Sequence, residues 1–193
     1  MSAIKCFMLT PTDRAARFLR RFWSVDADVR LCEPQGYHDE AVRIDDTDLI
    51  RDGNNTSIDP MTWPEDDPRW PERCHCGYEF GDKETRQLFY LPIYRTPDGR
   101  EVTIHRTPPR GIEAAPAGSM WFADWLIGTD WTGPDGHSLV VRTPGGDWTI
   151  DGPSTNGPGW TREGVPPLVT ARPSILIADR YHGFLTNGEL VAC

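Results

Sequence analysis

Pro173-Ser174-Ile175-Leu176-Ile177-Ala178-Asp179-Arg180-Tyr181-His182-Gly183-Phe184-Leu185-Thr186-Asn187-Gly188-Glu189-Leu190-Val191-Ala192-Cys193 reads as a β-hairpin. Two apolar runs of strand length flank Asn187-Gly188, a dipeptide that tolerates the positive φ angles of a tight two-residue turn. The same grammar recurs upstream. Pro97-Asp98-Gly99 separates an aromatic strand over Gln87–Arg95, which Pro92 should break, from Glu101–His105. Gly133-Pro134-Asp135-Gly136 and Pro144-Gly145-Gly146 bracket Ser138–Thr143, and Asp147–Asp151 follows. Residues 118–193 therefore form a tryptophan-rich β region, with Trp121–Leu126 a strand or a short helix.

The N-terminus reads differently. Ile4–Leu9 is a short first strand, and Thr10-Pro11-Thr12-Asp13 carries helix-start chemistry: a hydroxyl cap, a proline in the first turn and an acid against the dipole. Ala15, Phe18, Leu19 and Phe22 then fall at i, i+3, i+4 and i+7, with Arg14, Arg17 and Arg21 on the other side. That spacing predicts an amphipathic helix of about three turns. The fold class expected is α+β with β dominant, an N-terminal strand and helix followed by antiparallel hairpins.

A chain of 193 residues suits a single domain over 1–193, and 18 Gly, 18 Pro and 8 Trp favour short elements and sharp turns over a helical bundle. No apolar run approaches the roughly 20 residues of a membrane helix, and the N-terminus lacks a signal peptide's apolar core, so the expected compartment is the cytoplasm. Net charge is −9, and its placement matters more than its size. Asp39–Asp82 holds thirteen acidic and four basic residues, which is the whole excess. Residues 39–72 read as an acidic, loop-rich insert, with Trp63-Pro64 and Trp70-Pro71 pinning it to the body. Affinity for nucleic acid comes mainly from Lys and Arg on phosphate, so direct nucleic-acid binding is disfavoured.

Five cysteines, an odd number at Cys6, Cys32, Cys74, Cys76 and Cys193, fit no secreted disulfide framework. Cys74-His75-Cys76-Gly77 is where two thiols stand close enough to grip one cation, the glycine letting the backbone fold back. Tetrahedral Zn2+ needs two more donors, and the sequence offers His182 with Asp179 or Cys193, Asp179 lying three residues before His182; His105, His75 and Cys32 are further candidates. No nucleophile elbow, Walker loop or HExxH helix is present. Among the tryptophans, Trp131 and Trp160 sit in turn-rich surroundings and are the candidates for an exposed binding platform, the others for core anchors.

Met120-Trp121-Phe122-Ala123-Asp124-Trp125, Pro144-Gly145-Gly146-Asp147-Trp148-Thr149-Ile150-Asp151-Gly152-Pro153-Ser154 and Tyr181-His182-Gly183-Phe184-Leu185 resemble stretches of uncharacterised proteins from bacteriophages of actinobacteria, and Cys6–Thr12 is similar too. A more remote likeness is to a bacterial family of unknown function with a C-x-C-G knuckle and a C-x-x-H ending, where this chain has Asp179 in place of the later cysteine. The resemblance implies no activity. It implies a phage-encoded protein of the host cytoplasm or the virion, with a host or phage protein as partner. Three roles follow as expectations: a zinc-binding protein-interaction module, a metal-dependent hydrolase with an open zinc position, or a virion decoration component.

Overall fold

A computed structural model describes residues 3–23, 32, 37–44, 63–153, 159 and 161–193, together with the backbone of 49–50. Its strands are β1 (Ile4–Lys5), β2 (Phe7–Met8), β3 (Thr10–Phe22), β4 (Asp39–Arg43), β5 (Leu49–Ile50), β6 (Thr85–Arg95), β7 (Glu101–Thr103), β8 (Glu113–Ala114), β9 (Ser119–Phe122), β10 (Leu139–Thr143), β11 (Gly146–Thr149), β12 (Thr161–Val165), β13 (Leu168–Ile177), β14 (Tyr181–Thr186) and β15 (Glu189–Ala192). The described helical structure is one 3-10 turn at Asp124–Leu126, so Trp121–Leu126 is strand and then helix. No described helix is long and apolar enough to cross a membrane.

The chain packs as two compact units. The first comprises Met1–Pro11, Tyr94–Arg106 and Ala114–Cys193. One of its sheets runs β1-β15-β14-β13-β12, antiparallel throughout; the other runs β11-β10-β9-β2, with β2 parallel to β9. The terminal hairpin forms as its turn residues dictate: Asn187 and Gly188 have φ of 46° and 75°, and Phe184 pairs with Val191. Along β14 burial alternates, Tyr181, Gly183 and Leu185 inward and His182, Phe184 and Thr186 outward. Leu185 and Leu190 join Leu139, Val141, Ile150 and Ile175 in one core. The Pro97-Asp98-Gly99 turn also forms, pairing Tyr94 with Val102, and β6 runs unbroken through Pro92.

A buried ion pair ties this unit together. The Arg162 Nε donates to Asp151 Oδ1 at 2.9 Å and its terminal nitrogens to Asp135 at 3.0 and 2.7 Å, while Asp151 Oδ2 accepts the Leu139 amide at 2.8 Å. The side chains of Arg162 and Asp151 are 2% and 3% exposed, so each charge depends on the other.

The second unit, Thr12–Ile93 with Thr107–Glu113, corrects the expected helix. Residues 10–22 are the long strand β3, neighbour to β4 and β6, with β5 also on it. The physical reason is burial on both faces. Ala16 and Phe18 pack with Ala41, Leu91 and Ile93 on one side, and Leu19 with Ile44, Trp70 and Leu88 on the other. Apolar residues from two strand faces, read together, mimic a helical stripe, and pairing on both edges overrides the local preference.

Two arginines of β3 are held by partners within the unit. Arg21 is buried, donating to the carbonyls of Pro71 (3.2 Å) and Gly81, and Arg20 makes a two-pronged pair with Asp39 at 2.8 and 2.6 Å. Trp70 is buried with its indole N–H on the Pro64 carbonyl at 2.7 Å, and the Trp63 indole N–H reaches Asp67 at 2.6 Å. The tryptophan–proline pairs thus pin their loop. The acidic insert opens as strand β4 rather than as a loop, and its residues 45–48 and 51–62 lie outside the described residues.

Candidate metal centre

Glu72–Phe80 folds as a miniature ribbon. Phe80 N bonds to Glu72 O and Cys74 N to Tyr78 O, each at 2.9 Å, and Gly77 N closes a turn on Cys74 O at 2.9 Å. Gly77 carries φ of +91°, the left-handed conformation in which a glycine costs least. The turn sets Cys74 and Cys76 on one side of the backbone. Facing them is His38, one residue before β4 and fixed by its carbonyl, which accepts the Trp23 amide at 3.0 Å. Cys32 completes the group.

The donor atoms of Cys32, His38, Cys74 and Cys76 all lie within 4.8 Å of one another. Zn–S and Zn–N bonds at tetrahedral angles require edges of about 3.8 Å between sulfurs and about 3.5 Å between sulfur and nitrogen. Cys32 Sγ and Cys74 Sγ are 3.6 Å apart, and Cys76 Sγ lies 3.3 Å from His38 Nδ1. Three thiols and one imidazole at those separations fit a tetrahedral metal ion, and Cys3His is a common zinc donor set. Cys32, His38 and Cys74 are buried; Cys76 is exposed.

Electrostatics separate the thiols. Burial, reinforced by the neighbouring Cys74 and Cys76, pushes the Cys32 thiol up to about 12, so without a cation it stays protonated. Cys76 is drawn the other way by the Tyr78 backbone amide at its sulfur. His38 is oriented by a platform: its ring stacks on Tyr78 at 4.0 Å and 7°, and the Tyr78 hydroxyl donates to Glu84 Oε1 at 3.2 Å. His38 Nδ1, 3.3 Å from Cys76 Sγ, is the nitrogen that faces the thiols, while Nε2 is buried with no hydrogen-bond partner among the described residues. His75 stands beside the group, with Nδ1 3.4 Å from Cys74 Sγ and Nε2 3.4 Å from Cys32 Sγ.

Of the residues expected from sequence, Cys74 and Cys76 are brought together, and Cys32, a further candidate there, joins them. His182 and Asp179 are not members of this group. They belong to the first unit, where His182 Nε2 lies 3.2 Å from Ser174 Oγ on an exposed face and Asp179 occupies the β13–β14 turn with φ of 59°. His38 escaped the sequence reading. The signal available was its place six residues after Cys32, a Cys-x5-His pair upstream of the Cys-x-Cys knuckle. Trp131 is 38% exposed, its ring against Gly152, and Trp125 is more exposed at 54%; Trp160 lies outside the described residues. No family model matches the chain, and no curated protein or solved structure matches it.

Proposed function

We propose that this protein is a small zinc-stabilised protein-interaction module, with Zn2+ held by Cys32, His38, Cys74 and Cys76. The observation that carries the reading is the convergence of four side-chain donors, from two separate stretches of chain, within 4.8 Å of one another. Such a site closes its fold: an ion gripping Cys32 and His38 on one side and the Cys74–Cys76 turn on the other ties together segments far apart in the chain. Four donors also fill the coordination sphere, whereas a hydrolytic zinc keeps a position for water. That favours a structural ion over a metal-dependent hydrolase.

The phage resemblance supports a host or virion protein as the partner. Elemental analysis of purified protein tests the zinc reading: one equivalent of zinc is expected, lost in Cys74→Ser, and a metal-free protein of unchanged stability overturns it. Mass spectrometry of purified particles tests the virion role, which absence from particles removes.

A further inference from the structure

Strand β4 pairs with β3 along one side, and among the described residues no strand pairs along the other. Register places Phe18 opposite Arg43 and Phe22 opposite Asp39. Trp23 N bonds to His38 O at 3.0 Å and Ile44 N to Arg17 O at 3.1 Å, so even-numbered positions turn their amides and carbonyls toward β3. Asp39, Ala41 and Arg43 therefore turn theirs away. Cys74 Sγ lies 3.4 Å from the outward Asp39 carbonyl, as this alternation demands. No described strand pairs beyond that edge.

The edge opens into a cleft of about 530 Å³, walled by residues 40–43, by Arg73, Cys74 and His75, and by Arg110 with Gly111. Its chemistry is opposite in sign to the chain's. Arg43, Arg73 and Arg110 face it against Glu40, a lining of net +2 in a protein of net −9. Arg43 is braced across the cleft, its Nη1 donating to the Gly111 carbonyl at 2.7 Å. Arg73 meets Glu79 at 2.7 Å, but both side chains are largely exposed, at 64% and 72%, and such a surface pair exchanges its carboxylate at little cost.

An outward strand edge offers main-chain donors and acceptors to any extended chain, and the side groups beside it set which chain is accepted. We propose that the outward edge of β4, at Ala41, takes an extended acidic peptide of a partner protein as an added strand. Its main chain pairs with Ala41, and its carboxylates lie against Arg73 and Arg110. The proposal rests on the interaction-module reading and gives that module its surface. Because Cys74 and His75 form one wall, the metal centre and the cleft share a segment, and zinc holds the wall in place.

The test uses the full 15N-labelled chain with its zinc content measured on the same sample. The probe is an acetylated, amidated octapeptide alternating Thr and Glu, titrated to millimolar concentration. Its controls are a Thr–Lys counterpart, a copy N-methylated on alternate amides, and inorganic phosphate. Expected are saturable shifts of the Ala41 and Arg43 amides, slower exchange of the Ala41 amide, binding that falls with ionic strength, and about fivefold weaker binding in Arg73→Glu and in Arg110→Glu. Both substitutions sit on exposed side chains. No shift at Ala41 with zinc present, or an equal response to the Lys peptide, overturns the proposal and leaves the zinc reading standing. An equal response to the N-methylated copy, or full displacement by phosphate, also overturns it by reducing the cleft to a simple anion pocket. Binding at Ala41 by a zinc-free sample would sink the zinc reading instead.

Discussion

Cys76 Sγ and His38 Nδ1 stand 3.3 Å apart although 38 positions separate them in the chain. Structural zinc contributes roughly 10–16 kcal/mol in small domains, as much as a whole domain's usual stability of about 5–15 kcal/mol. Chelation should therefore cost the second unit its fold. The expected outcome is loss of amide protection at Phe18, Leu19 and Ile93 on adding chelator, with Leu185 and Leu190 of the first unit still protected. Cys32→Ser and His38→Ala should abolish stoichiometric zinc, and His182→Ala should leave it intact. Zinc lost with His182 would return the site to the terminal hairpin.

Zinc uptake should be steeply pH-dependent. The Cys32 thiol is pushed up to about 12 by burial, so in the metal-free protein it holds its proton at neutral pH, and zinc must displace it. Protons are released on binding, so affinity rises with pH. Calorimetry in buffers of different ionisation enthalpy measures the number released. At least one is expected at pH 7, with tighter binding at pH 8 than at pH 6; affinity independent of pH would overturn the cysteine donor set as a whole.

Turn chemistry was the legible part of the fold. Asn187-Gly188 and Pro97-Asp98-Gly99 each close the hairpin that their backbone preferences imply, because a two- to four-residue turn is decided locally. The segment 10–22 was not legible, because its residues serve two faces of one buried strand and the neighbours that decide the matter, β4 and β6, arrive from elsewhere in the chain. The metal group divides in the same way. Cys74 and Cys76 announce themselves by spacing and a following glycine, whereas His38 is recruited by its stack on Tyr78, a tertiary contact that leaves no periodic trace in sequence.

Arg162 is a vulnerable side chain of the first unit. Removing it leaves Asp151, 3% exposed, as a buried carboxylate without its cation, at a cost of about 3–5 kcal/mol. Arg162→Met should lower stability by that amount in urea denaturation. Arg162→Met combined with Asp151→Asn should recover much of the loss, since no charge is then stranded while an amide remains near the Leu139 N–H. Equal instability of the single and double variants would show that the Arg162 contacts to Asp135 carry the effect instead.

The same cluster sets an acid limit. Arg162, by its hydrogen bonds to both carboxylate oxygens, holds Asp135 down to about 2, against about 3.9 in an unfolded chain. A carboxyl depressed in the folded state contributes stability that is complete above the unfolded value and lost as pH falls through the folded one. Stability of the first unit should therefore decline between about pH 4 and pH 2. Asp135→Asn should flatten that part of the profile while lowering the plateau at neutral pH; an unchanged slope would place the acid sensitivity elsewhere.

Gly188 is expected to be the most sensitive position of the terminal turn, more so than Asn187 beside it. Both residues have positive φ, but asparagine tolerates that region, and its Asn187 amide is satisfied by Thr170 Oγ1 at 2.9 Å. Gly188 is tied on both sides, its N–H to Val169 O at 2.9 Å and its carbonyl to Cys6 N at 2.8 Å, so it cannot shift to make room. A Cβ there would stand 2.6 Å from the Pro167 carbonyl oxygen, a backbone atom with no rotamer to yield. Gly188→Ala carries about 1–2 kcal/mol for the left-handed conformation alone, with the clash added. Asn187→Gly should change stability by less than about 0.5 kcal/mol. Urea denaturation with an unchanged m-value is the measurement. If Gly188→Ala proved as mild as Asn187→Gly, the turn would have to relax by breaking its bonds to Val169 and Cys6, and exchange at the Cys6 amide would quicken accordingly.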